Sequence, residues 1–317
     1  MKHLHKYLVA VPCFTILLVA AIMVQSCRKD DNPPVVSEKT DTRYNLPQGN
    51  AAYDQTIVDF FNKYDTYILY KFSTVDFNYQ FSYNLASAPT GPLSAVEGPV
   101  VMRGADPIAI AAGLDFMQQY WFSFYPDAFK KRYLPQKILL AGLTYKTRMN
   151  YTTNIYDTPR VSPITVPIEG ADHITLPKID TAFLTLPLAD KLLLKAQLNK
   201  TFLKQLMYPS VSTMPSKIAA PDDFFKISDY TVTGLTATTR YKSGFLITNG
   251  SKAPTTFNDI NSFLDTICAK SKAQLDAYAL NPANDQLGLV KRKYDFLINF
   301  FKNNYGVDLQ AIGNKQD

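Results

Sequence analysis

Histidine and cysteine are scarce in this chain of 317 residues, and that shortage excludes much. The three histidines are His3, His5 and His173, and the three cysteines are Cys13, Cys27 and Cys268. Once an N-terminal leader is cut away, His173 is left alone. One imidazole supports neither a His-rich zinc site nor a serine or cysteine triad that lacks a nucleophile motif. Glutamate also stops at Glu169, so a three-ligand zinc site would need aspartates and one imidazole, an uncommon set. No Gly-x-Ser-x-Gly elbow, Walker loop, Gly-x-Gly-x-x-Gly turn or EF-hand loop is present. Asp222-Asp223 is the obvious adjacent carboxylate pair for glycoside hydrolysis, but before Phe224 it reads as a helix start.

Strong charge is missing too. The formal net charge is +6, and removing Lys2 and Lys6 with the leader takes 33 basic residues to 31 against 27 acids, leaving +4. That is too mild to imply a nucleic-acid partner. The clusters Lys130-Lys131-Arg132 and Lys291-Arg292-Lys293 read as solvated helix faces.

What is present begins at the N-terminus. MKHLHKY is followed by an apolar run of about 17 residues and then Gln25-Ser26-Cys27, the layout of an export signal. A transmembrane anchor is the competing reading. Against it, the run contains Pro12, has the minimum spanning length and ends at Ser26-Cys27 rather than a basic stop. The expectation is a bacterial lipoprotein with a signal peptide over 1–26, lipid on Cys27 and a polar, Pro-containing tether over 27–50. With Cys27 lipidated, Cys268 has no partner for a disulfide, and its place in an apolar helical stripe predicts a buried small hydrophobe. The 267 residues of 51–317 suffice for a large core without one.

Periodicity predicts a helix over Ala51–Lys63, from Ile57, Phe60, Phe61 and Tyr64. A hairpin should follow, from Thr66–Phe72 and the alternation Val75, Phe77, Tyr79, Phe81, Tyr83, with a loop over Ala86–Gly104. A helix is expected over Pro107–Tyr125, then strands over Lys137–Gly142, Leu143–Tyr151, Ile164–Ile168 and His173–Leu176. Helices over Leu188–Tyr208, Thr256–Ala279 and Gln286–Tyr305 complete the chain. The fold class is α+β: a single domain over 51–317, with a small, mostly antiparallel sheet in the first half packed with a helical second half.

Several stretches resemble the substrate import-associated zinc metallohydrolase lipoproteins of Bacteroidota, a family linked to outer-membrane nutrient import. They are Tyr120–Tyr125 leading to Tyr133–Gly142, Glu169–Leu176, the helix through Phe202, and Gly244–Thr248. The order Cys27-Arg28-Lys29-Asp30-Asp31 is also similar to the export pattern of Bacteroidota surface lipoproteins, although a solvated charge cluster would look the same. The resemblance implies a zincin-like scaffold with His-Glu-x-x-His on a helix, in which two imidazoles one turn apart grip zinc and the glutamate is the general base. Those positions here read Lys200-Thr201-Phe202-Leu203-Lys204, two lysines and a threonine. The family's downstream acidic patch falls on Asn258–Ser262, where only Asp259 is retained, and Asp259 also suits a helix first turn. Paired ammonium groups there would repel a dication, and Lys200 and Lys204 are expected to be solvated on the outer face of a helix.

Two readings follow. One is a non-catalytic relative of the metallohydrolases, with no cofactor. It would bind a glycan or peptide, or support an outer-membrane import complex, on the cell surface or the periplasmic face. Its contact candidates are aromatic: Tyr79, Tyr83 and Trp121, with Tyr120 and Tyr125 beside it, unless they fill the core. The other is an active peptidase or glycan hydrolase with a remodelled or metal-free site.

Overall fold

The structure is a computed structural model that describes residues 44–73, 76–77, 98–150, 155–157, 165–209 and 214–317. Cys27, Tyr79, Tyr83 and most of the expected Val75–Tyr83 strand lie outside the described residues. Of that strand, Asp76 and Phe77 are described, and they are helical.

Leu46–Asp317 forms one unit by its internal packing. Its first residues are pinned to it: the Gln48 side-chain oxygen accepts from the Tyr70 and Lys71 backbone N–H groups, and its amide donates back to the Lys71 carbonyl. Helix α1 spans Ala52–Tyr64 and buries Ile57 and Tyr64, and it ends at Asp65 in the left-handed region with φ 55°. Strand β1 is Tyr67–Leu69, wholly buried. Strand β2, Gly98–Gly104, occupies the end of the expected loop. Glycine and proline suggested a loop there, but among the described residues β2 pairs with the next strand alone, and an edge strand tolerates Pro99.

Helix α2 runs Pro107–Tyr120, capped by the Asp106 carboxylate and started by Pro107 at its first turn. The helical period continues to Tyr125 in sequence, yet the helix stops at Trp121 and tightens into a 3-10 turn over Phe122–Phe124. Helix α3 is Asp127–Tyr133. The two predicted strands after it are one, β3, Lys137–Asn150.

Strands β4 (Ile155–Asp157), β5 (Ile168–Glu169) and β6 (His173–Leu176) complete a mixed sheet in which β3 is central. The first half of β3 lies between β1 and β6, parallel to both. That is why Ile138, Leu139, Leu140 and Ala141 form an unbroken apolar run: a central strand is buried on both faces. Its second half pairs antiparallel with β2 and then β4, and β5 pairs antiparallel with β6. Three of the five pairings are therefore antiparallel. At the bulge between β2 and β3 a Cβ on Gly142 would stand 2.4 Å from the Gly104 carbonyl oxygen, so only glycine permits that approach.

A 3-10 turn over Thr181–Thr185 leads into the helical half, whose long member is α4, Leu188–Met207. Short helices α5 (Asp222–Phe225) and α6 (Thr239–Lys242) follow. The expected Thr256–Ala279 helix is two, α7 (Thr256–Ala269) and α8 (Lys272–Ala277). Ser271 breaks it, because its hydroxyl accepts from the Gln274 N–H while the Gln274 side chain accepts from the Ser271 N–H, a reciprocal cap that restarts the helix. Helix α9, Leu289–Tyr305, ends on left-handed Gly306, and α10 covers Leu309–Asn314. No helix among the described residues is long and apolar enough to cross a membrane.

Candidate functional site

The face of α4 singled out in the sequence carries Lys200 and Lys204 one turn apart. Each ammonium has a carboxylate partner on another element. Lys200 Nζ lies 2.5 Å from Asp265 Oδ2 on α7, and Lys204 Nζ lies 3.2 Å from Glu169 Oε2 at the end of β5. Both lysine side chains are about a third exposed or less, at 34% and 27%, so the expectation of two solvated lysines is corrected to two interelement ion pairs. Thr201 between them is half-buried, and Asn258 is exposed in the first turn of α7. This face does not fit a zinc ion. A protonated lysine offers donors and no lone pair, and each nearby carboxylate already has a cation. Among the described residues no three His, Cys, Asp or Glu side chains are grouped as metal ligands.

Asp259 is not part of that face. It sits in the first turn of α7 as expected, but it is wholly buried and its partner is no helix dipole. Asp259 Oδ2 is 2.6 Å from Lys293 Nζ on α9 and accepts from the Tyr230 hydroxyl. Four rings wall the ammonium: Phe245 at 4.5 Å from ring centre to Nζ, Phe224 at 5.0 Å, Tyr230 at 5.1 Å and Phe263 at 5.9 Å. Burial pushes the Asp259 carboxyl up, against the pull of Lys293, and pushes the Lys293 amine down, against the pull of Asp259. The basic cluster Lys291-Arg292-Lys293 is thus not one solvated face. The signal for this was in the spacing: Lys293 stands among Val290, Tyr294, Leu297 and Phe301, the buried stripe of α9. Lys130 needs the same correction, being 7% exposed with its ammonium over the Tyr64 ring and 3.0 Å from Asp127.

A third polar group surrounds His173, which is fully buried on β6. Its Nδ1 lies 3.1 Å from Asp172 Oδ1, and Asp172 Oδ2 lies 2.9 Å from Lys137 Nζ, also buried. Burial lowers the His173 pKa, partly opposed by the Asp172 carboxylate. Asp172 also lines a cleft of about 170 Å³ with Pro135, Gln136, Gln205, Met214 and Lys217. The Gln205 amide donates to the Gly170 and His173 carbonyls, so this residue of the cleft wall also fixes the turn that enters β6. The imidazole itself is sealed inside, which suits a structural histidine.

The aromatic contact candidates that can be placed are core residues. Trp121 is 0% exposed, stacked on Phe122 and edge-on to Phe202 at 5.4 Å, while Tyr120 and Tyr125 are 8% and 3% exposed. Buried Asn199 on α4 ties the segment down by donating to the Tyr120 carbonyl and accepting from the Tyr125 hydroxyl. Stacking on a ligand is therefore closed to Trp121, because its faces are spent on the core. Cys268 is fully buried as expected, and burial pushes its thiol up to about 12.

No family model and no curated protein matches the chain. A solved structure does: a Bacteroides caccae protein described as a candidate zinc-binding metallo-peptidase, 14% identical, with a TM-score of 0.48, covering 83% of this chain and 92% of that one. At that depth no residue role passes from one chain to the other.

Proposed function

We propose that this protein is a lipid-anchored envelope protein, held through Cys27 on the outer membrane, whose Leu46–Asp317 unit works without catalysis. It serves as a binding or supporting component beside nutrient import machinery and has the scaffold of a zinc metallohydrolase without its chemistry. One observation carries the reading: at the positions where the resemblance calls for two zinc-binding imidazoles, Lys200 and Lys204 are each neutralised by a carboxylate, Asp265 and Glu169. Such a face joins α4 to α7 and β5, and its carboxylate lone pairs, on Asp265 and Glu169, already face the two ammonium groups. The export signal and the Ser26-Cys27 junction support the anchoring.

Elemental analysis of the full chain, purified after metal-replete expression, should find zinc far below one per chain, with no peptide or glycan hydrolysis. Stoichiometric zinc or metal-dependent turnover sinks the non-catalytic reading. Fatty-acid labelling that persists in the Cys27→Ala variant sinks the anchoring.

A further inference from the structure

Helices α7 and α9 meet at a point where a primary amine faces a carboxyl group in a sealed aromatic pocket. Lys293 Nζ is 2.6 Å from Asp259 Oδ2, both side chains are 0% exposed, and Phe224, Tyr230, Phe245 and Phe263 enclose the amine. Asp259 is asymmetric in this pocket. Oδ2 receives both the lysine and the Tyr230 hydroxyl, while buried Oδ1 has no hydrogen-bond partner among the described residues. An ion pair gains little from such a place, since its desolvation is offset on one oxygen only.

We propose that Lys293 and Asp259 condense into an intramolecular isopeptide bond that joins α7 to α9 covalently. The pocket favours the reacting forms, because burial drives both groups toward neutrality: a free amine and a protonated acid. A proton passes from Nζ to the carboxyl group, and the freed lone pair attacks Cγ to form the C–N bond. Tyr230, already bonded to Oδ2, gives its proton to that oxygen and regains one from the nitrogen. The Cγ–Oδ2 bond then breaks and one water leaves, with Oδ1 kept as the amide oxygen. No oxidant, reductant or further reactant is needed. The product is uncharged, so the cost of burying two ions disappears, and the dry pocket that promotes the step also protects the amide from hydrolysis. The link would close a separation of 34 residues in a chain whose buried Cys268 offers no disulfide.

Peptide mapping of the purified full chain tests this. Trypsin should release a branched species joining Ala253–Lys270 to Lys293–Lys302, lighter by one water than the two peptides together, because an acylated Lys293 is no longer cut. The intact protein should likewise be one water lighter than its processed, lipidated sequence requires. Asp259→Ala should restore the unmodified mass, and Tyr230→Phe should slow the appearance of the branched peptide after synthesis. Separate, unmodified peptides from the wild-type chain, even after prolonged incubation at neutral pH, would overturn the proposal, and that reading does not depend on any variant folding. Water loss without the branched peptide would overturn it equally.

Discussion

Helix α7 carries two aspartates that each meet a lysine from another helix, and their surroundings are opposite. Asp259 and Lys293 touch at 2.6 Å with both side chains at 0% exposure, whereas Asp265 and Lys200 touch at 2.5 Å with side chains 46% and 34% exposed. Distance alone would rank them equal. Dielectric surroundings separate them, since charges in water are already solvated and gain little by pairing, while a buried charge depends entirely on its partner. One pair is fixed by the fold around it and the other is an adjustable surface contact.

The sharpest way to break this comparison is to remove one member of the buried pair. Asp259→Ala leaves the Lys293 ammonium among four rings, and the expected loss is about 3–5 kcal/mol in urea unfolding. Asp259→Leu combined with Lys293→Met should recover the part of that loss owed to the stranded charge, but not the part owed to the lost covalent link between α7 and α9. A single-variant cost under about 1 kcal/mol would put the pair in the surface class. Next in size is Lys195→Met. Lys195 on α4 is 1% exposed and donates to the Ile312 and Lys315 carbonyls at 2.6 and 2.5 Å, completing the C-terminal end of α10. Leaving those carbonyls without this donor should cost about 1–3 kcal/mol. Hydrogen exchange should show α10 losing protection before the sheet does.

A gentler test uses pH. Burial holds the His173 pKa below its ordinary 6.5, with Asp172 opposing and Lys137 assisting. A depressed folded-state value means that the unfolded chain takes up the proton first. The stabilisation is thus complete above 6.5 and is lost as pH falls through the folded value. Unfolding midpoints measured downward from neutral pH should decline, and His173→Gln should flatten the decline. An unchanged slope in the variant would assign the acid sensitivity to other groups.

The lysines also mark where the sequence stopped being legible. Long periodic segments could be read directly: α1, α4 and α9 lie within a few residues of their expected bounds, and the apolar run of β3 was evident. Boundaries set by a single side chain were harder. The hydroxyl of Ser271 divides one helical stripe in two, and the close approach at Gly142 joins two apparent strands into one. On the α4 face, the sequence placed two lysines one turn apart but did not show what they meet. Asp265 and Glu169 lie 65 and 35 residues from their lysines along the chain, so no local pattern connects them. Lys293 was different, because its place in the apolar stripe of α9 announced its burial while its chemical type argued for solvent.

The smallest expected effect closes the comparison from the other side. Lys200→Ala should change stability by no more than about 1 kcal/mol, because Asp265 can return to water without penalty. What difference there is should shrink as salt is raised and screens the pair. Lys204→Ala should cost somewhat more, since its partner Glu169 is only 7% exposed and cannot recover full hydration. Parallel urea titrations at low and high salt check both. If Lys200→Ala instead matched the loss at Asp259, the α4 face would matter to the fold as much as the buried pair does. The two lysines would then be fixed parts of the fold and not incidental surface contacts.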